Sequence, residues 1–276
     1  MERRIIFLDI DGTLTEPGRN EPPESAAEAV RRARERGHCV FLCTGRNYDM
    51  LLPLLNYGFD GVVASSGGYI EFGRAILYDC PMTGKQQERA MRILRERGIY
   101  CTVECMDGSY TDEGFKEYLR AHASQAGYSD LLRWREQIEE SLHIRPMREY
   151  RGQPVYKIVV MSPSKEAFTE AGELLAADFD LCIQEENRNG FTGAEIVNRQ
   201  FDKGRAVKRV CEYLGVPLNA SVAIGDSMND KEMLETAGLS ICMGNGSEAL
   251  KRLADDVCPS VREDGIYRAF RKHQLI

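Results

Sequence analysis

No stretch of this sequence comes near the roughly 20 consecutive apolar residues that a membrane-spanning helix needs. The apolar run after MERR is short and is broken at once by two aspartates, so neither a secretory signal nor a membrane partner is expected. Histidine is scarce. His38, His122, His143 and His273 fall outside every motif described below, which leaves a Ser–His–Asp or Cys–His mechanism without support. There is one tryptophan, Trp134, for which packing is the expected use. No basic stripe stands out and the formal net charge is −7, which gives no sign of a nucleic-acid partner. Internal repeats and low-complexity tracts are absent as well.

Cysteine is not scarce, but its nine positions are scattered through apparent strands and helices, an odd number without an export signal. Reduced, packed thiols and a cytoplasmic setting are therefore expected. Cys101 and Cys105 lack the second ligand pair that a zinc site of standard spacing would show.

With 276 residues and 43% apolar content, the chain can bury the core of one large domain or two modest ones. Five short runs, 4–8, 39–43, 61–64, 221–224 and 239–243, are apolar throughout and do not alternate, as strands buried on both faces do. Residues 22–37, PPESAAEAVRRARERG, carry helix chemistry: prolines before the first turn, Glu24 near its positive end, arginines late and Gly37 as the stop. Strand, helix and strand then form a right-handed βαβ unit. A second amphipathic helix over 202–217 precedes the run at 221. Alternating helices and parallel strands imply an α/β fold.

The middle of the chain has a different pattern. Residues 67–79 predict a β-hairpin turning at Gly73-Arg74, and 99–111 a second one turning at Asp107-Gly108. Helices are expected over 85–98, 130–143 and 164–177, and strands over 155–162 and 179–186. This is long enough for an α+β domain of its own at 83–187, inserted into a domain made of 1–82 plus 188–276.

Four short motifs fall at the C-terminal ends of the expected parallel strands, the edge where open α/β sheets bind ligands. They are Asp9-Ile10-Asp11-Gly12-Thr13, Thr44-Gly45-Arg46, Lys203-Gly204 and Gly225-Asp226-Ser227-Met228-Asn229-Asp230. The first alone could be a polar turn, and the last alone a helix cap. An EF-hand is excluded, since the first loop lacks the later acidic ligands and follows a strand. Jointly they say more. Asp9, Asp11 and Asp226 would crowd three carboxylates together, which is costly unless a cation sits among them. Oxygen-only ligands favour Mg²⁺. Lys203 and the Thr44 hydroxyl suit the outer oxygens of a phosphoryl group, and a carboxylate beside it can act as nucleophile.

In these four motifs, in this order, the chain resembles the haloacid dehalogenase superfamily, in its Cof-like branch of sugar-phosphate phosphatases with a large inserted cap. The resemblance spans essentially the whole chain. It implies a Rossmann-like three-layer α/β/α core and a cap that closes over the site, excludes water and selects the leaving group. It implies that Asp9 attacks phosphorus and that Asp11 protonates the leaving alcohol, then activates water against an aspartyl-phosphate. It further implies Mg²⁺ held by Asp9, the Asp11 carbonyl and Asp226 with Asn229 and Asp230 in support, and phosphate held by Thr44, Gly45 and Lys203. Where the branch carries Asn-Gly after its third strand, this chain has Ser65-Ser66-Gly67-Gly68, which leaves a substrate contact by Ser66 open beside a plain turn. Arg46 suits either a substrate contact or a pair with an acid. The MGNG run at 243–246 reads as a turn near the site without a chemical part, and Glu113, Lys116 and Arg188 read as surface residues.

The leading expectation is a Mg²⁺-dependent phosphatase of a small phosphorylated metabolite, a sugar phosphate first. A phosphomutase would return the phosphoryl group to sugar instead of water. A catalytically silent sugar-phosphate sensor is the contrasting class, but such a protein has no use for the full set Asp9, Asp11, Lys203 and Asp226.

Overall fold

The computed structural model describes residues 3–121, 144–186 and 192–276. The expected helix over 130–143 with Trp134, together with His122, His143 and Arg188, lies outside the described residues.

The chain starts one sheet, leaves it to build another, and returns. The first five strands are β1 (Ile5–Leu8), β2 (Cys39–Cys43), β3 (Gly61–Ala64), β4 (Tyr69–Phe72) and β5 (Ala75–Asp79). The next six are β6 (Tyr100–Cys105), β7 (Gly108–Thr111), β8 (Arg145–Pro146), β9 (Val155–Ser162), β10 (Phe179–Glu186) and β11 (Thr192–Asn198). The last three are β12 (Ser221–Gly225), β13 (Leu239–Cys242) and β14 (Asp256–Val257). Two compact units result: Met1–Arg46, Leu51–Asp79 and Phe201–Ile276 in one, Asn47–Met50 and Cys80–Gln200 in the other. Residues 188–200 read from sequence as part of the first domain. Thr192–Asn198 instead pairs with β10 on one side and β9 on the other, which fixes it in the second sheet.

The first sheet runs β14-β13-β12-β1-β2-β3-β4-β5. Pairing is parallel from β14 to β3, and the β4–β5 hairpin adds an antiparallel edge with Gly73 at φ +60 in its turn. The apolar runs behave as their composition dictates. β1, β2, β3 and β12 are buried at every residue, because helices cover a parallel sheet on both faces. Helix Glu24–Glu35 presents Ala26, Ala29, Val30 and Ala33 inward, and Gly37 at φ +88 ends it in a conformation other residues adopt at a cost. Helix Lys203–Leu214 starts at Asp202, whose side chain accepts from the Arg205 N–H, and stops at left-handed Gly215.

The second sheet runs β10-β11-β9-β6-β7-β8. Helices Gly84–Glu96 and Lys165–Leu175 bury Ile93, Leu94, Phe168 and Leu175 in one core with Val103 and Ile158. Thr83 and Gln86 form a capping box at the first helix, and the Ser164 side chain caps the second. Cys105 pairs with Gly108, so the β6–β7 turn is Met106-Asp107, one residue earlier than the Asp-Gly signal suggests. The other strand alternation leaves buried Lys157 between Glu104 and Glu195, at 3.3 and 2.6 Å. Burial pushes the Glu104 carboxyl up to about 7, against the pull of that lysine. Cys101 and Cys105 pack in the second core as free thiols.

Candidate active site

Three parallel strands place the motifs. β12, β1 and β2 lie side by side in register, Leu8 level with Ile224 and Leu42, so Asp9, Thr44 and Asp226 all follow strand ends at one sheet edge. The Asp9 N–H continues the ladder, donating to Ile224 O at 3.0 Å. From β1 the chain moves to β2 on one side, and from β12 it moves to β13 on the other. The crevice of a doubly wound sheet opens at such a reversal. Past Asp9 the backbone folds tightly, with the Gly12 N–H donating to Thr15 O and the Thr15 N–H to Ile10 O. Gly12 sits at φ +82 and so close to Asp226 that a Cβ there would fall 2.3 Å from its Oδ2. Only glycine fits both demands.

Lys203 Nζ, at the first turn of its helix, donates to Asp9 Oδ1 at 2.7 Å and to Asp230 Oδ1 at 2.6 Å. Its side chain is 1% exposed, and those of Asp9 and Asp230 are 5% and 0%. Asp230 Oδ2 takes the N–H groups of Asp226 and Ser227, at 3.0 and 3.2 Å, so the GDSMND loop wraps around its own last acid. Asp9, Asp226 and Asp230 bring one carboxylate oxygen each within 4.8 Å of one another. Buried Asp226 Oδ1 has no hydrogen-bond partner among the described residues. Burial first, then the Asp230 charge, raises the Asp9 carboxyl to about 8 despite Lys203. Burial and Asp230 likewise raise Asp226 to about 7. Three acids, one ammonium and an orphaned oxygen make a pocket short of positive charge.

Asp11 is not part of that group, contrary to the expected Asp9–Asp11–Asp226 carboxylate cluster. Arg46 Nε and Nη2 grip its two oxygens at 2.8 and 2.7 Å, and the Gly18 N–H adds a third bond at 2.8 Å. Burial pushes the Asp11 carboxyl up, but the Arg46 bonds and charge with the Gly18 amide outweigh this and hold it below the usual range. Arg46 is itself anchored by Asn20 Oδ1 and Arg19 O, at 2.6 and 2.9 Å. The pairing role of Arg46 is therefore the one observed, and Asp230 takes the place of Asp11 as third acid. A guanidinium three residues past the end of β2 that becomes buried requires a carboxylate, and the Arg46 of the TGR motif was the available signal.

Thr44 is buried, with its hydroxyl accepting from the Arg46 N–H at 3.1 Å, and Gly45 is half-buried beside it. Asn229 Oδ1 accepts from the Ser227 hydroxyl at 2.7 Å. Glu113 is exposed and pairs with Arg148. Ser65 and Ser66 both have positive φ, +49 and +59, and the buried Ser65 hydroxyl has no partner among the described residues. Two successive non-glycine residues there store strain. Ser66→Asn should stabilise the protein by about 0.5 kcal/mol, because asparagine tolerates this conformation, while a β-branched Ser66→Val should cost about 1–2 kcal/mol. Thermal melts of the two variants check it, and a Val variant melting with the parent would remove the strain argument.

Three comparisons bear on this geometry. The family model described as haloacid dehalogenase-like hydrolase matches residues 6–270. The phosphatase YwpJ of Bacillus subtilis is 30% identical over 99% of this chain and 100% of its own length. Among solved structures, the phosphatase BT1666 from Bacteroides thetaiotaomicron superposes with a TM-score of 0.80 at 20% identity, covering 99% of this chain and 96% of that one. The subclass IIB sugar phosphatase BT4131 gives 0.77 at 22% identity, covering 99% and 100%. At those identities the two structures share the fold.

Proposed function

The chain belongs to the haloacid dehalogenase-like hydrolases, in their Cof-like branch, and is a phosphoric monoester hydrolase; from that premise we propose a Mg²⁺-dependent phosphatase of a small phosphorylated metabolite that works through an aspartyl-phosphate on Asp9. The observation that carries this reading is the group Lys203, Asp9, Asp226 and Asp230 at the strand-end crevice.

The residues fit a hard cation: an all-oxygen donor set within ligand spacing, with the buried Asp226 Oδ1 unsatisfied by protein. Asp9 and Asp226 would hold Mg²⁺, with Asp230 behind them and the Asp11 carbonyl alongside. When bound, the ion offsets negative charge on the carboxylates and on the phosphoryl oxygens. Two of the three Lys203 N–H bonds go to Asp9 and Asp230; the third would take a phosphoryl oxygen, joined by the Thr44 hydroxyl and the Gly45 amide. One Asp9 oxygen bonds to phosphorus as the ester P–O bond breaks. Asp11, once released from Arg46 and protonated from solvent, gives its proton to the departing oxygen. The Asp11 carboxylate then removes a proton from water, whose oxygen bonds to phosphorus and frees Asp9 and phosphate. Asp11 must come off Arg46 to do this, and its 38% exposed side chain is the mobile partner, since Arg46 is 6% exposed and anchored twice more.

A sugar phosphate is the substrate class named for BT4131, and the same class is proposed here for this chain. A screen of phosphorylated metabolites with Mg²⁺, using Asp9→Asn as the blank, tests the reading. Following hexose 1-phosphate for released phosphate against hexose 6-phosphate separates hydrolysis from mutase chemistry. Failure of every ester in the screen would favour a silent binding protein.

The raised acids give a pH signature. Without metal, Asp9 and Asp226 hold protons in the fold that they give up near 3.8 when unfolded. Their contribution to stability is fully present below 3.8 and is lost as pH rises through about 7 and 8. Mg²⁺ needs both ionised, so its stabilising effect should grow over that interval. Melts with and without Mg²⁺ at pH 6 and 8 should show the larger gain at pH 8. An equal gain at both would count against these acids as ligands.

A further inference from the structure

The MGNG run has no part in the mechanism above, yet it reaches both catalytic loops. Asn245 Nδ2 donates to Gly12 O at 2.7 Å, while its Oδ1 accepts the Val261 N–H at 3.1 Å. Both ends of the amide are used, which fixes its orientation. On the same turn, the Met243 N–H donates to Gly225 O at 2.9 Å and the Ser247 N–H to Asp226 O at 2.8 Å. One five-residue turn therefore grips the backbone of the Asp226 loop at two points and the backbone of the Asp9–Asp11 loop at a third. The third grip falls on Gly12, where a Cβ would lie 2.3 Å from Asp226 Oδ2.

We propose that Asn245 is a positioning residue: its amide locks the Gly12 carbonyl and so sets the spacing between the Asp9 and Asp226 carboxylates on which cation binding and attack depend. Asp9, at the start of the loop, is tied to β12 by its N–H to Ile224 O at 3.0 Å, but past it the Gly12 N–H to Thr15 O bond at 2.8 Å and the Thr13 N–H to Ile10 O bond at 3.1 Å are internal and only shape the turn. Without the Asn245 donor, the turn keeps its form and its anchor at Asp9, but Gly12 is free to shift against the Asp226 carboxylate. The inference rests on the phosphatase reading and adds a residue to it.

Asn245→Asp is the sharpest test, since it keeps the shape and the acceptor for Val261 but replaces the donor facing Gly12 O with an oxygen. Mg²⁺ binding measured by calorimetry should weaken about 10–100-fold, the usual cost of losing a group that orients ligands. At saturating Mg²⁺, kcat should fall about tenfold with KM within twofold, a split that a mere loss of stability does not produce. Asn245→Ala removes the same donor without adding charge and decides the matter where the Asp variant does not fold. Unchanged Mg²⁺ affinity and kcat in a folded variant would overturn the proposal while the parent enzyme still turned over. A parent as inert as Asp9→Asn would instead remove the phosphatase reading, and the calorimetry would still report on Asn245.

Discussion

Asp9→Asn is expected to release no measurable phosphate from any monoester, a loss of at least about 10⁴-fold in kcat, because no other group can take over the nucleophile's bond to phosphorus. The substitution is nearly isosteric, and its Oδ1 can still accept from Lys203 as Asp9 does at 2.7 Å. It also removes one of three acids packed within 4.8 Å, where burial and Asp230 already disfavour the charged form. The metal-free variant should therefore melt no lower than the parent, so lost turnover cannot be assigned to unfolding. Asp11→Asn makes the contrast. It leaves Asp9 able to attack and removes the proton transfers, worth about 10²–10⁴-fold, together with the carboxylate charge that Arg46 grips. A phenyl phosphate ester with a good leaving group should then still phosphorylate Asp9 and stall, giving a burst of phenol. Turnover surviving in Asp9→Asn would end the assignment of Asp9.

The fold was legible wherever burial dictates composition. Runs such as CVFLC and GVVA are apolar throughout because helices cover both faces, and they became β2 and β3 at the expected residues. Helix 203–214 falls inside the expected 202–217 and stops at Gly215, while the Asp202 cap that starts it was not read from the sequence. Strand β11 escaped because TGAEIVN mixes small, acidic and branched residues, and its identity comes from partners on both sides. The site divides in the same way. That Asp9, Thr44, Lys203 and Asp226 gather at one edge follows from strand order, which the motifs reveal. Which acid joins them does not follow from spacing. Asp11 is two residues from Asp9 yet turns onto Arg46, 35 residues away, while Asp230 reaches the trio through Lys203. Side-chain choices between competing partners depend on burial and charge in three dimensions, and Asn245 was overlooked for the same reason.

Lys203→Met should be the most destabilising single change in the site. It keeps the apolar stem and removes the ammonium held at 2.7 and 2.6 Å between two buried carboxylates. Breaking a buried ion pair from one side costs about 3–5 kcal/mol, since the charges left behind have lost water and partner alike. At about 2–4 °C per kcal/mol for a chain of this size, the melting temperature should fall by roughly 10 °C. The pH trend has a definite sign. Asp9, already raised to about 8 with Lys203 beside it, rises further without it. Asp9 is then protonated with or without Lys203 at pH 6, so its part of the deficit should be smaller there and grow as pH rises through about 8. Lys203→Arg is not a repair, because a branched planar group does not fit a slot 1% exposed that is shaped for a point charge. Adding Asp230→Asn to Lys203→Met should recover part of the loss, since it deletes one of the two orphaned charges. Additive losses in that double variant would mean that Lys203 and Asp230 act independently, and the charge balance drawn here would fail.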